Sequence, residues 1–235
     1  MTVEQRVVIV TGAGGNLGAA VAAEMNRQGA SLVCVDYAAA SLEALEKSLS
    51  PASGLLALSG LDLTRHEDAQ KMVAATLDKF GRVDALVNTV GGFRMAPVVD
   101  ALDDWDFLMN INARAALATS AAVAPVMKQR GFGRIVHIAA GAGNKGGAEM
   151  SVYSAAKAAV MRITESLAEE LSADGVTVNC ILPGTIDTPQ NRAAMPDADT
   201  SRWVPPSDIA KVIAFLISDM AGAVTGAAIP VTRRS

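Results

Sequence analysis

The sequence predicts an α/β domain built on a doubly wound parallel sheet of about seven strands, with helices on both faces. Three observations predict it. Short apolar runs alternate with amphipathic stretches along the chain, the order expected of parallel strands joined by right-handed crossovers. The apolar runs lack polar alternation, so each strand is covered on both faces. A glycine-rich loop directly follows the first run and opens a helix.

The elements follow in order. Residues 7–10 (Val-Val-Ile-Val) read as the first strand, and Leu17, Val21 and Met25, four apart, mark a helix over 17–28. Residues 31–35 are a second strand, followed by a helix carrying Leu42, Leu45 and Leu49. A strand over 54–61 and a helix near 66–80 come next, then a strand at 83–88. A long Ala-rich helix runs over about 103–129, with Asp100 to Asp104 offering caps. A strand at 134–139 leads to a helix over 151–172, with Val152, Ala156, Ala159, Val160, Ile163 and Leu167 on one side. A strand at 176–182, a helix at 207–218 and a strand at 227–231 complete the set. Neither repeat nor low-complexity linker divides the chain, so residues 1–235 read as one domain. The stretch 183–206 is irregular and holds Pro183, Pro189, Pro196, Pro205 and Pro206. Connections of that length usually carry function, and about 184–206 reads as a substrate lid.

Composition excludes several classes. Hydrophobic residues make up 51% and charged residues 19%, which excludes a disordered chain. Twenty Lys+Arg against 24 Asp+Glu give a net charge of −4, so no basic nucleic-acid footprint exists. No run of about 18 apolar residues is present, so no membrane span is expected. The N-terminus lacks a signal-peptide pattern, and a cytoplasmic location is the expectation. Cys34 and Cys180 lie in apolar runs and read as buried free thiols. His66 and His137 are far apart, so no metal site is expected. His137, within a strand, reads as a packed core histidine.

Residues 11–18 (Thr-Gly-Ala-Gly-Gly-Asn-Leu-Gly) join the first strand to the first helix. Glycines permit a tight turn and a close phosphate, and the helix N-terminus offers free N–H groups. Such a loop also suits a plain turn, but its place between strand and helix favours a dinucleotide. Asp36 ends the second strand, eighteen residues beyond Gly18. An acid there accepts hydrogen bonds from both ribose hydroxyls and repels a 2′-phosphate. Tyr37, Ala38 and Ala39 follow with no arginine, so NAD(H) is preferred over NADP(H). Tyr153 and Lys157 are four apart on the long helix and share a face. A nearby ammonium is expected to lower the tyrosine's pKa, making it a proton donor or acceptor.

Taken together, residues 11–18, Asp36, Asp62-Leu63, Asn88-Thr89-Val90-Gly91, Asn112, Tyr153, Lys157, Pro183-Gly184 and Val224-Thr225-Gly226 resemble the short-chain dehydrogenase/reductase family across essentially the whole chain. The resemblance implies a Rossmann-type fold, a nicotinamide cofactor and hydride transfer. It implies cofactor contacts from Gly12, Gly15, Asn16, Leu17, Gly18, Asp36, Pro183 and Gly184. It places Asp62 and Leu63 beside adenine, Asn88 as a brace and Gly91 past the adenine ribose. Asn112 would hold a water relaying protons to Lys157, which also binds ribose, while Ile186 and Thr188 would hold the carboxamide. The Ala-rich helices over 103–129 and 151–172 imply a homodimer or homotetramer.

The chain departs from the family in telling places. Most members carry a catalytic serine thirteen residues before the tyrosine; here that position is Ala140. Losing one such donor typically costs about a hundredfold or more in rate. Ser151, Ser154, Asn144 and Lys145 lie nearby in sequence, though Ser154 should point about 100° away from Tyr153. The glycine loop carries Asn16 where a glycine is usual. These departures, with residues 182–203 and Gly91-Gly92-Phe93, resemble the dihydropteridine reductases, whose quinonoid substrate needs less oxyanion stabilisation. Asn112 departs from that branch, so quinone, imine or carbonyl substrates stand beside a pterin. Phe93 and Trp203 either stack on a flat heterocycle or simply pack; Arg94 meets an anionic substrate or solvent. Arg233 and Arg234 at the tail offer subunit contacts or none. Two rivals remain: a carbonyl reductase or alcohol dehydrogenase of the 3-oxoacyl type, and an NAD(H)-binding sensor or scaffold with little turnover.

Overall fold

The computed structural model describes residues 3–49 and 54–233. In chain order its main elements begin with β1 (Val7–Thr11), α1 (Asn16–Arg27), β2 (Ser31–Asp36), α2 (Ala39–Ser48), β3 (Leu55–Ser59) and α3 (His66–Phe80). Then come β4 (Ala85–Asn88), α4 (Trp105–Leu108), α5 (Ala115–Arg130), β5 (Gly133–Ile138), α6 (Gly141–Asn144) and α7 (Ser151–Leu171). The chain closes with β6 (Val176–Pro183), α8 (Pro189–Ala194), α9 (Pro206–Leu216) and β7 (Ala228–Val231). The strands form one sheet in the order β3-β2-β1-β4-β5-β6-β7, and every pairing is parallel. This is the doubly wound, Rossmann-type single domain that the alternation predicts.

The unbroken apolar runs are explained by two covered faces. Val8, Val10, Leu32 and Cys34 face Val21 and Met25 of α1, Leu42 of α2 and Ile209 and Ile213 of α9. Val7, Ile9, Val33 and Val35 face Met72 of α3, Val123 and Met127 of α5 and Leu171 of α7. Successive strand residues therefore go to opposite cores, and a charge at either would be buried.

The expected helix over 103–129 is not one α-helix. A 3₁₀ turn (Ala101–Asp104) and α4 lead into a π-helical stretch (Met109–Arg114) before α5. Asn112 sits in the widened stretch and donates its side-chain amide to the Leu108 carbonyl at 2.9 Å. A side chain bonding into the ladder is a recognised cause of such irregularity.

Strand order reverses between β1 and β4, so their carboxyl ends splay and leave a crevice. The irregular stretch after β6 lies beyond the same end of the sheet. It is tied at both ends, because Ile186 bridges Val204 and the Asp187 amide donates to the Val204 carbonyl at 2.9 Å. Both cysteines are buried and free. Among the described residues no helix is long and apolar enough to cross a membrane. Arg234 lies outside the described residues.

Candidate active site

The turn after β1 is built by glycine for two separate reasons. Gly12 has φ +64°, and a Cβ there would lie 2.9 Å from Thr89 Oγ1. Gly18 sits so close to the turn that a Cβ would run into the Gly12 carbonyl oxygen. Helix α1 starts at Gly15 with no side-chain cap and no acidic residue in its first turn. Its leading N–H groups and positive dipole end therefore stay available to an anion. Leu17 packs toward the α1 core. Asn16 Nδ2 donates to Gln190 Oε1 at 2.7 Å, tying this loop to α8.

Asp36 reaches the same loop from β2. Its Oδ2 accepts from the Gly14 amide at 2.9 Å and its Oδ1 from the Ala38 amide at 3.0 Å. Asp62 Oδ1 accepts from the amide and hydroxyl of Thr64 at 3.0 and 2.7 Å, and Leu63 is buried beside α3. Asn88 Oδ1 accepts from Thr11 Oγ1 at 2.6 Å, and the Thr89 hydroxyl donates to the Thr11 carbonyl at 2.7 Å. Thr89 thus helps close the tips of β1 and β4.

Helix α7 supplies Tyr153 and Lys157. Lys157 is 5% exposed, and its Nζ donates to the Ile138 carbonyl at 2.9 Å. Burial pulls its pKa down to about 8. The same Nζ lies 5.9 Å from the centre of the Tyr153 ring. The expected lowering of the tyrosine by this ammonium is overturned: burial pushes Tyr153 up to about 12. Desolvation of the phenolate outweighs a neighbour at that distance.

Asn112 is fully engaged. Its Oδ1 accepts from the Gly92 amide at 3.2 Å, and its Nδ2 donates to the Gly92 carbonyl at 3.0 Å as well as to Leu108. One lone pair of Oδ1 remains for a further donor. Gly91 runs between the two polar groups; a Cβ there would lie 2.9 Å from Asn112 Oδ1 and 3.2 Å from Lys157 Nζ.

Ala140 lies two residues beyond β5 and takes the N-cap position of α6 without a hydroxyl. Ser151 borders a cleft beside Tyr153, together with Arg94, Asp104 and Glu149. The Ser154 hydroxyl is buried without a hydrogen-bond partner among the described residues, and it lies 3.8 Å from a notional Cβ on Gly146. Asn144 and Lys145 are exposed. Phe93 meets Tyr153 edge-on, with ring centres 4.8 Å apart and planes at 89°. Trp203 is only 5% exposed and presents little surface to a ligand. Arg94 is already paired with Asp104 at 2.6 Å and lies 3.9 Å over the Phe107 ring. With Asp104 and Glu149 beside it, the cleft does not present the free cation that an anionic substrate would seek.

At the far end, β6 finishes at Pro183 and the Gly184 amide donates to the Val231 carbonyl at 3.0 Å. Thr188 caps α8, accepting from the Asn191 amide at 3.2 Å, while Asn191 Nδ2 donates to the Ile186 carbonyl at 2.8 Å. His137 is buried; its Nε2 meets Ser120 Oγ at 3.1 Å and its Nδ1 has no partner among the described residues. Gln190 and Ser120 were not singled out by sequence, because each matters only through a partner on another element.

A family model for short chain dehydrogenases matches residues 6–199. The chain belongs to the short-chain dehydrogenase/reductase family and is an NAD(P)-dependent oxidoreductase. It is 35% identical to the (2S)-[(R)-hydroxy(phenyl)methyl]succinyl-CoA dehydrogenase subunit BbsD of Thauera aromatica, over 96% of this chain and 94% of that one. It is 30% identical to a 3-oxoacyl-[acyl-carrier-protein] reductase of Thermotoga maritima, over 96% of both chains. Among solved structures, NAD+-bound xylitol dehydrogenase superposes with a TM-score of 0.89 at 29% identity, covering 98% of this chain and 99% of that one.

Proposed function

We propose that this enzyme is an NAD(H)-preferring reductase of a planar carbonyl, imine or quinonoid compound, with a site like that of the dihydropteridine reductases. The observation that carries the reading is the methyl group of Ala140 where a hydroxyl donor is usual, beside an intact Tyr153 and Lys157. A conjugated, electron-poor acceptor spreads developing charge over its own atoms and asks less of a fixed donor. The edge-on Phe93 beside Tyr153 adds an aromatic wall suited to a flat substrate.

The residues fit a dinucleotide. The uncapped start of α1 and the close glycines suit a diphosphate, and Asp36 at the loop's rim suits ribose hydroxyls rather than a 2′-phosphate. When bound, the nicotinamide supplies or accepts hydride. Tyr153 moves the proton at its Oη, and Lys157, held by Ile138, adds its charge nearby. Gly91 lets the chain pass close to both, Asp62 and Leu63 border the adenine side, and Asn88 braces the strand tips. Ile186, Thr188, Pro183 and Gly184 shape the nicotinamide side, under a lid at about 184–206. A cytoplasmic homodimer or homotetramer is part of the same proposal.

The second reading is a 3-oxoacyl-type carbonyl reductase, and the identities to acyl-thioester enzymes favour it. NADH oxidation with a quinonoid dihydropterin, a quinone and a β-ketoester separates the two. Pterin or quinone turnover that collapses in Tyr153→Phe and gains little from Ala140→Ser is the expected result. Ketoester turnover that rises strongly in Ala140→Ser overturns it in favour of the second reading. NADH binding with no turnover anywhere leaves a sensor.

A further inference from the structure

We infer that Phe93 is a positioning residue, an immobilised ring that seats the Tyr153 phenol and screens it from water. The inference rests on the reading of Tyr153 as the proton-transferring group.

Phe93 is 58% exposed and lies on a loop, where an aromatic side chain is ordinarily mobile. Here the backbone is anchored on both sides of it. One residue before, Gly92 is clamped to the Asn112 side chain, its amide donating to Oδ1 at 3.2 Å and its carbonyl accepting from Nδ2 at 3.0 Å. One residue after, Arg94 is pinned by Asp104 at 2.6 Å and stacked over Phe107. Two residues further, the Ala96 amide donates to the Glu149 carbonyl at 2.9 Å. Glu149 itself has φ +60°, a left-handed backbone that the surrounding contacts sustain. Three anchors around one side chain hold its ring in place.

The ring they hold meets Tyr153 edge-on at 4.8 Å. Tyr153 packs elsewhere against the cluster of Ala101, Leu108, Val152 and Ala156, and Phe93 adds an aromatic contact from the loop. Asn112 therefore acts on the tyrosine through Gly92 and Phe93. The charged groups near the phenol are Lys157 on α7, 5.9 Å from the ring, and Arg94, Asp104 and Glu149 around the adjoining cleft. Arg94 and Asp104 compensate one another, which leaves burial as the main influence on the phenol.

The sequence contains two tyrosines, and Tyr37 is 74% exposed, so a Tyr37→Phe background isolates Tyr153. Tyrosinate absorbance after a rapid pH jump, read before unfolding, then gives its ionisation midpoint. The parent should titrate near 12. Phe93→Ala should lower the midpoint by about one pH unit as water reaches the phenol. Asn112→Ala should lower it in the same sense, while Phe93→Trp should restore the parent value. Ring-labelled tyrosine spectra at neutral pH, taken with Tyr37 retained, give a second measure, with the Tyr153 signal expected to move toward that of exposed Tyr37 in Phe93→Ala. An unchanged midpoint and unchanged ring signal in Phe93→Ala overturn the inference. So does a Phe93→Trp protein that behaves as Phe93→Ala does. No substrate enters these measurements, so their failure is distinct from a failure of the catalytic reading, which shows as retained turnover in Tyr153→Phe.

Discussion

Asn16 and Gln190 are 174 positions apart, yet their side-chain amides meet at 2.7 Å and join the first turn of α1 to α8. The bond spans the crevice between the glycine loop and the stretch that follows β6. An exposed neutral hydrogen bond contributes about 0.5–1.5 kcal/mol, enough to matter to the opening of a strap and little to the fold. Gln190→Ala should therefore speed NADH release by up to about tenfold with an unchanged melting temperature. Stopped-flow displacement of bound NADH measures it, and an unaltered release rate removes the latch.

Asp36 is oriented by two backbone amides, Gly14 and Ala38, before any ligand arrives. Hydrogen bonds to a charged group contribute about 1.5–3 kcal/mol, so Asp36→Ala should weaken NADH binding by at least about tenfold. Relief of repulsion should leave NADPH binding equal or stronger. Fluorescence titration with both nucleotides checks the ratio; a ratio that stays the same places cofactor choice elsewhere.

His137 sets an acid limb on stability. Burial, with the Lys157 charge in support, pulls its pKa down from 6.5 to about 4. Between those values the unfolded chain binds more protons than the folded one, so stability rises with pH across that window. His137→Gln should flatten the slope between pH 4 and 6.5, whatever it does to stability at neutrality. Urea midpoints at several pH values decide it, and parallel slopes for the two proteins would count against a buried neutral imidazole.

Gly18 faces the Gly12 carbonyl oxygen with no room for a methyl group. Gly18→Ala should cost about 1–3 kcal/mol or more and weaken NADH binding, since the turn must open to admit the new atom. Gly141→Ala, where a Cβ meets nothing within 4 Å, should change stability little. Denaturant unfolding of the pair tests the comparison, and equal stabilities would mean that the turn yields easily.

The fold was legible because the central strands bury both faces and helices such as α1 and α3 carry apolar residues at helical spacing. Val7 to Val10 alternate between two cores, so no polar residue interrupts them. The long helix before β5 was harder. Its break at Met109–Arg114 coincides with Asn112, whose side chain bonds the Leu108 carbonyl within the helix and Gly92 on a separate loop. Within the site, the Tyr153–Lys157 spacing could be read directly, since it follows from local helix geometry, and so could the places of the glycine loop and Asp36 at the ends of their strands. The state of the tyrosine could not. A neighbouring cation pulls its pKa down and burial pushes it up, and only the packed structure fixes which prevails. Arg94 is similar: as a residue it is a free cation, and in the fold it is Asp104's partner.

By itself, then, the sequence determined the architecture, the family, the nicotinamide cofactor and the missing hydroxyl at Ala140, because these depend on periodicity, motif order and residue identity. The tertiary structure alone decided the Asn16–Gln190 tie, the Asn112 clamp on Gly92 and the seating of Phe93 on Tyr153. Each of these joins groups distant in the chain, and their energies depend on distance and desolvation, which exist only once the chain has folded.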